Sequence, residues 1–165
     1  KSGHCLMQQG LGDLDELYQE VLLDHYRNPR NTERLDDPTS EVDAINPFCG
    51  DEIHMQLGLY GDTVASISVT GQGCSISQAA GSLLTALGLT AGDYYDGKTT
   101  TEARELRELF REMMTGEEVS DEVADRLEDS LALQGVRRFP VRIKCALLSW
   151  SALIDALDKV APAKP

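Results

Sequence analysis

Positive charge is scarce in this sequence. Its 165 residues include 28 acidic side chains but only 15 lysines and arginines, so the formal net charge at pH 7 is −13. Nucleic acids and anionic membrane surfaces would repel such a chain, because both carry negative phosphates. We therefore expect neither nucleic acid nor a membrane among its partners. A protein partner with a basic surface is compatible with the charge, and so is simple high solubility.

We also expect neither a secretory signal nor a membrane-spanning segment. The N-terminus has no apolar stretch after its first charge, so we expect no secretory signal. The thirty residues 63–92 carry no charge, but five glycines and many Ser, Thr and Gln residues argue against a spanning helix. We interpret this stretch as a strand and a helix of the core, and we expect a cytoplasmic protein.

The length of the chain suits one domain with a hydrophobic core. We expect residues 1–12 to be a disordered N-terminal segment or a cloning remnant. Residues 13–160 are expected to form a single domain, and residues 161–165 a C-terminal tail. No internal repeat or linker divides the sequence.

The hydrophobic pattern predicts an α+β fold, in which a small antiparallel sheet packs against several helices. Asp13 is expected to cap a first helix that ends near Tyr26. A loop is expected over 30–50, with a short edge strand near Val42. Alternating apolar residues around "YGD" then predict an antiparallel hairpin, with strands near 53–59 and 64–69.

The second half of the chain is predicted to be helical. One helix is expected to start after "TGQGCS", and others near Thr101 and Ser120. The helix that starts at Ser120 is expected to continue to Leu131. The motif "GVRRFP" interrupts the pattern, and the last helix is expected from about Val141 to Lys159.

Cysteine is rare, and its count is informative. Of four cysteines, Cys5 lies in the N-terminal stretch "KSGHCL" and is set aside, which leaves Cys49, Cys74 and Cys145. Three thiols cannot all pair in disulfides, and without a secretory signal we expect them to be reduced. The odd count favours metal binding or thiol chemistry over inert core cysteines.

Each of these three cysteines is predicted at the boundary of a helix or strand. Cys49 lies in the loop "NPFCGDE", and Cys74 and Cys145 lie near helix N-termini, which favour the thiolate form. Asp51 can supply a fourth ligand, and three sulfurs with one carboxylate oxygen suit tetrahedral Zn²⁺. The cysteines are separated by 24 and 70 residues, which matches no compact zinc finger. Buried, inert thiols therefore remain an alternative for Cys74 and Cys145.

Arg142 is a further candidate, because it precedes Cys145 by three residues and can share its helical face. Its guanidinium would offset part of the negative charge of four anionic ligands, although a solvated arginine near a helix start is the plain alternative. His25, on a polar helix face, and His54, pointing outward from its strand, are weaker metal candidates.

Four ordered motifs carry a family resemblance. They are "LYQEVLLDHYRNPRN", "NPFCGDE", "GQGCSISQAAGS" and "FPVRIKCALLSW". Together they make residues 14–157 resemble the U-type iron–sulfur cluster assembly proteins, the IscU and NifU N-terminal-like family, and within it the SufU branch. The scaffold branch, typified by IscU, has a histidine in place of Lys144. SufU-like chains carry an extra segment, which the acidic stretch "GEEVSDEVADRLEDSLALQG" fits.

The resemblance implies a SufU/IscU-like fold and a zinc-dependent sulfurtransferase for iron–sulfur cluster biogenesis. Such a protein accepts persulfide sulfur from a SufS-type cysteine desulfurase and serves a downstream Suf assembly scaffold. By resemblance, zinc would be held by four ligands: Cys49, Asp51, Cys74 and Cys145. Cys49 would accept the sulfur, and Arg142 would assist beside the zinc.

Two other functions stay open at this point. The same three cysteines could carry a [2Fe–2S] cluster, in which case the protein would be a scaffold that assembles and transfers it. Alternatively, the protein could be a non-catalytic zinc module that activates a desulfurase by binding to it.

Overall fold

The computed structural model describes residues 9–89, 98–116 and 118–160. These residues form three strands and five α-helices, and their bounds are α1 Gln9–Arg27, β1 Ser40–Asn46, β2 Asp51–Tyr60, β3 Thr63–Gln72, α2 Ser75–Leu84, α3 Thr100–Met114, α4 Asp121–Leu127 and α5 Pro140–Val160. A π-helical turn, Thr85–Leu89, extends α2, and a 3-10 helix, Glu128–Arg138, connects α4 to α5. The predicted α+β class is confirmed.

The strands form one antiparallel sheet in the order β1-β2-β3. The predicted hairpin is confirmed as β2–β3, and Gly61 in its turn has a φ of +62°, which favours glycine. The edge strand predicted near Val42 is also confirmed and is seven residues long. Asn46 pairs with Asp51, and Glu52 pairs with Gln72, so one end of all three strands meets at the start of β2.

The core lies between one face of the sheet and the helices. Ile53, Met55 and Leu57 alternate along β2 and are almost completely buried. Each such side chain contributes about 1.5–3 kcal/mol by leaving water. Helix α5 packs against β1, β2 and α2, and its fully buried Trp150 stacks on Phe110 at 5.2 Å between ring centroids. The first turns of α5 are thereby fixed beside the β1–β2 connection.

Two expectations for α1 were wrong. The helix begins at Gln9, four residues before Asp13. An aspartate is tolerated inside a helix, and no proline lies between Gln9 and Asp13 to interrupt it. His25 does not lie on a polar face, since it is 4% exposed and its Nδ1 lies 2.7 Å from Ser82 Oγ. The small Ser82 side chain lets α1 and α2 pack closely and gives the buried imidazole a polar partner.

The helix that starts after Ser120 is shorter than predicted. It ends at Leu127, because Glu128 takes a left-handed φ of +49°, and a 3-10 helix rather than an α-helix carries the chain to Arg138. Of the predicted N-terminal segment 1–12, residues 9–12 belong to α1, whereas residues 1–8 and the predicted tail 161–165 lie outside the described residues. The single-domain limits stay a prediction. No helix among residues 9–89, 98–116 and 118–160 has the length and apolarity to cross a membrane.

Candidate metal centre

Three parts of the chain meet at the end of the sheet where β1 connects to β2. Cys49 lies in the β1–β2 turn, and Asp51 is the first residue of β2. Cys74 is the N-cap residue of α2, immediately after β3, and Cys145 lies in the second turn of α5. The predicted positions of the three cysteines at element boundaries are confirmed.

The turn that carries Cys49 is shaped by Asn46. Its backbone carbonyl accepts the N–H groups of Cys49 at 3.3 Å and Gly50 at 2.8 Å, and its side-chain oxygen accepts the N–H of Phe48 at 3.2 Å. Its Nδ2 lies 3.7 Å from Cys145 Sγ, so this buried side chain ties the turn to α5. Sequence reasoning missed Asn46, although an asparagine before proline is typical of a turn.

The sulfur and carboxylate atoms converge at this point. The ligand atoms of Cys49, Asp51 and Cys145 all lie within 4.8 Å of one another, and the two sulfurs are 3.3 Å apart. Cys74 is not part of that tight group, but its Sγ lies 3.8 Å from Asp51 Oδ2 and its N–H donates to Asp51 Oδ1 at 2.8 Å. All four predicted ligands are therefore neighbours, and three of them already form a compact set.

The burial of Asp51 indicates which kind of group fits here. The carboxylate is completely buried, and no Lys, Arg or His among the described residues forms an ion pair with it. A buried carboxylate is costly unless hydrogen bonds or a cation compensate its charge. Three thiols and one carboxylate are also the donor types that bind Zn²⁺ in proteins. The residues present therefore fit a divalent metal ion with a preference for sulfur.

Gly73 allows Asp51 to occupy this position. Its φ of +145° is rarely adopted by other residues, and a Cβ atom built there would collide with the Asp51 side chain and lie 2.8 Å from its Cα. Glycine is therefore required for the chain to pass so close to the carboxylate where it leaves β3. The sequence suggested a loosened loop at "TGQGCS", but it did not indicate this contact.

The electrostatics of the site couple Arg142 to two of the cysteines. The charge of Cys74 is the largest cause that raises the pKa of the Arg142 guanidinium, followed by hydrogen bonds to Cys74 and Cys145. Burial raises the pKa of the Cys145 thiol, and contacts with Asp51, Cys49 and Cys74 raise it further. A divalent cation bound by these groups would reverse that shift, because a coordinating thiol loses its proton. Arg142 is itself exposed, so its cation is presented at the mouth of the site.

Neither histidine candidate belongs to this centre. His25 is buried between α1 and α2, as described above. His54 lies on the other face of the sheet from the core, where its two ring nitrogens lie 2.7 Å from Asp43 Oδ1 and 2.8 Å from Glu41 Oε2. Because its two nitrogens point to different carboxylates, the three side chains do not converge on one position.

Comparison with known proteins agrees with the fold. The family model for the NifU-like N-terminal domain matches residues 17–146, which is most of the chain. The chain belongs to this family. The family resemblance predicted from the four motifs is thereby confirmed.

Individual relatives extend the match to nearly the whole chain. A zinc-dependent sulfurtransferase SufU from Bacillus subtilis is 45% identical over 147 residues, covering 89% of this chain and 93% of that protein. An iron–sulfur cluster assembly scaffold protein IscU from Streptococcus pyogenes is 36% identical over 154 residues, covering 93% and 91%. A solved structure of a SUF-system protein from Fervidobacterium islandicum superposes with a TM-score of 0.72 at 27% identity, covering 86% of this chain and 97% of that one. The predicted SufU/IscU-like fold is confirmed.

Proposed function

We propose that this protein is a zinc-dependent sulfur acceptor for iron–sulfur cluster biogenesis, which takes sulfur from a persulfide on a SufS-type cysteine desulfurase and passes it to a downstream Suf assembly scaffold. One observation carries the proposal. Cys49 is the thiol of the compact set that lies half-exposed on a turn, while Asp51 and Cys145 are completely buried beneath it. The name of the Bacillus subtilis relative supports the same reading.

The zinc ligands in this proposal are Cys49, Asp51, Cys74 and Cys145. When bound, zinc supplies a fixed geometry and lowers thiol pKa values without redox chemistry of its own. The ligands differ in how firmly the chain holds them. Asp51, Cys74 and Cys145 belong to a strand or a helix terminus, whereas Cys49 belongs to a four-residue turn.

The transfer step is a thiol exchange at Cys49. Its thiolate attacks the outer sulfur of the donor persulfide, and a bond forms between Cys49 Sγ and that sulfur. The sulfur–sulfur bond of the donor breaks, and the donor cysteine leaves as a thiolate. The proton of the outer sulfur stays on it, so the step needs no oxidant or reductant.

Arg142 supports this step in two ways. Its exposed guanidinium stands beside Cys74 and Cys145 at the mouth of the site, where it steers the incoming persulfide and offsets the negative charge that passes from the Cys49 thiolate to the departing donor thiolate. Its charge also offsets part of the negative charge of the four anionic ligands. We assign it a role beside Cys49 in receiving the persulfide. We place this action in the cytoplasm, where thiols stay reduced.

Native mass spectrometry of the purified protein, before and after mixing with a SufS-type desulfurase and cysteine, tests the proposal. We expect one zinc per chain that stays bound while a mass increase of about 32 Da, one sulfur atom, appears and maps to Cys49. Cys49→Ala should fold normally and gain no sulfur.

Two results would favour the other functions. Iron and sulfide in place of zinc would favour a [2Fe–2S] scaffold, which the name of the Streptococcus pyogenes relative supports. Faster desulfurase turnover without a persulfide on Cys49 would favour a non-catalytic activating module. Lys144, where the scaffold branch has histidine, argues against the first of these.

A further inference from the structure

The charge of the protein is unevenly distributed around the metal centre. Residues 130–154 contain four of the chain's 15 lysines and arginines and none of its 28 acids. The remaining residues therefore carry 28 acids against 11 cations. The locally positive segment includes the first turns of α5, which also carry Cys145. Three exposed cations of this segment, Arg138, Arg142 and Lys144, therefore lie near the metal centre of an otherwise acidic protein.

Large apolar side chains are exposed on the same surface. Phe48 is 77% exposed, Phe139 57% and Val141 67%. Their cationic neighbours Arg138 and Lys144 are exposed as well. We name these five residues, Phe48, Arg138, Phe139, Val141 and Lys144, the basic apolar face. Several large apolar groups exposed close together are a feature of interaction sites rather than of inert surfaces.

The basic apolar face borders the metal centre on both sides. On one side Phe48 immediately precedes Cys49, and Lys144 Nζ lies 4.4 Å above the centre of the Phe48 ring, a cation–π contact that holds the ring in place. On the other side Arg138 and Phe139 line a cavity of about 190 Å³ together with Arg142.

The cavity has an apolar floor and a cationic rim. Its other walls come from α1, α2 and the 3-10 helix, including Leu22, Ile76 and Val136. Apolar walls and two guanidinium groups at the edge suit one apolar side chain flanked by carboxylates.

We propose that the basic apolar face docks an acidic, apolar-tipped surface of the cysteine desulfurase and that one apolar side chain of that partner enters the cavity. This inference rests on the proposed function for the identity of the partner. It reverses the expectation from total charge, by which a partner would be basic. Docking here places the partner directly over Cys49, with Phe48 on one side and Arg142 on the other.

Other occupants fit the charges less well. In a two-fold dimer built on this face, the cations of the two copies would oppose each other. Nucleic acid would meet the basic face but would be repelled by the acidic remainder of the chain.

Charge reversal tests the electrostatic part. We expect Arg138→Glu to raise the Kd for the purified desulfurase about tenfold at low salt. At about 0.5 M salt the increase in Kd should be smaller, because salt screens the charges. Arg34→Glu is the matched control, because Arg34 is exposed and lies beside Glu41, at the opposite end of β1 from Asn46. The control should bind within about twofold of the original protein.

Two further measurements test the contacts themselves. Phe139→Ser should weaken binding about tenfold at both salt concentrations, because it removes an apolar contact. Carbodiimide joins amines to carboxylates, so we expect it to link Lys144 to an Asp or Glu of the desulfurase, while Lys159, exposed at the far end of α5, stays unlinked. Unchanged zinc content and circular dichroism would show that both variants fold.

The outcomes separate this inference from the proposed function. If Cys49 gains sulfur normally while Arg138→Glu binds as tightly as the control and Lys144 forms no link, the docking inference is wrong and the function stands. If the unaltered protein neither binds the desulfurase nor gains sulfur, both fail. If light scattering shows that Arg138→Glu abolishes self-association instead, the face joins copies of this chain, and the inference is again wrong.

Discussion

Two groups of acidic residues on the same pair of strands have opposite surroundings. At one end of the β1–β2 pair, Asp51 is completely buried among sulfurs and has no cationic partner among the described residues. On the outer face of the sheet, Glu41 and Asp43 flank His54, with oxygen–nitrogen distances of 2.8 and 2.7 Å. One carboxylate has no cationic side chain beside it among the described residues, whereas the other two share an imidazole of the same chain.

The difference separates a site for a metal ion from a structural ion-pair cluster. A carboxylate at the surface retains water, so a partly exposed imidazole is a sufficient partner for it. Asp51 has lost its water completely, and its partners among the described residues are the N–H group and thiol of Cys74 and the thiol of Cys145, none of which is a cation. A divalent cation held by thiols would compensate such a charge far more strongly.

Removal of a buried ligand should produce the largest effect. We expect Cys145→Ala to lose tightly bound zinc and to lower the free energy of unfolding by about 3–4 kcal/mol, the linkage expected with zinc at several hundred times its Kd. Metal analysis and urea denaturation, each with and without a chelator, measure the two quantities. With chelator present, the free energies of unfolding of Cys145→Ala and of the unaltered protein should differ by less than about 1.5 kcal/mol, the cost of the small cavity alone.

A matched change on the other carboxylate group provides the control. Asp43→Asn alters a carboxylate on the same strand pair but should leave a full equivalent of zinc bound. A Cys145→Ala protein that keeps one tightly bound zinc would show that Cys145 is not a ligand. If chelator lowered the free energy of unfolding equally in Cys145→Ala and Asp43→Asn, the two carboxylate groups would not differ in their need for a metal ion, and the comparison would be wrong.

A smaller effect is expected from the glycine beneath Asp51. Gly73→Ala should lower the free energy of unfolding by about 3 kcal/mol and weaken zinc binding. The new Cβ would collide with Asp51, and the backbone of an alanine would be strained at this positive φ. Gly50→Ala has a positive φ of +72° but open space around its Cβ, so it should cost about 1 kcal/mol and keep zinc. Thermal denaturation and zinc titration compare the two. If both variants lost the same free energy of unfolding, the backbone strain alone would explain the loss, and the structure around Asp51 would have moved to avoid the collision.

The sequence predicted the parts of the site that depend on local chemistry. Turn residues around Cys49 and the helix starts near Cys74 and Cys145 placed three thiols at element boundaries, and the family motifs joined them with Asp51. The sequence did not predict the role of Asn46 or the close approach of Gly73, because both arise where segments distant in sequence pack together.

The errors in the predicted fold have the same origin. His25 was expected on a polar face because its neighbours along α1 are polar, yet packing on α2 buries it against Ser82. The helix after Ser120 was extended too far because the apolar spacing continues through Leu131, and spacing cannot reveal the left-handed turn at Glu128. Hydrophobic periodicity predicts which residues are buried more reliably than it predicts where a helix ends.

The smallest effect should come from the outer face of the sheet and should depend on pH. The hydrogen bond to Asp43 is the largest cause that raises the pKa of His54 above 6.5, and the bond to Glu41 adds to it. The protonated imidazole therefore stabilises the fold below pH 6.5, and this stabilisation is lost as pH rises through the higher pKa of the folded protein. His54→Gln should thus lower the free energy of unfolding by about 0.5 kcal/mol near pH 6, a value reduced by solvent screening, and by less near pH 9. Urea denaturation at both pH values measures the difference. If the decrease in the free energy of unfolding grew with pH, or if His54→Gln lost zinc, the cluster of Glu41, Asp43 and His54 would not be an ion-pair cluster independent of the metal centre.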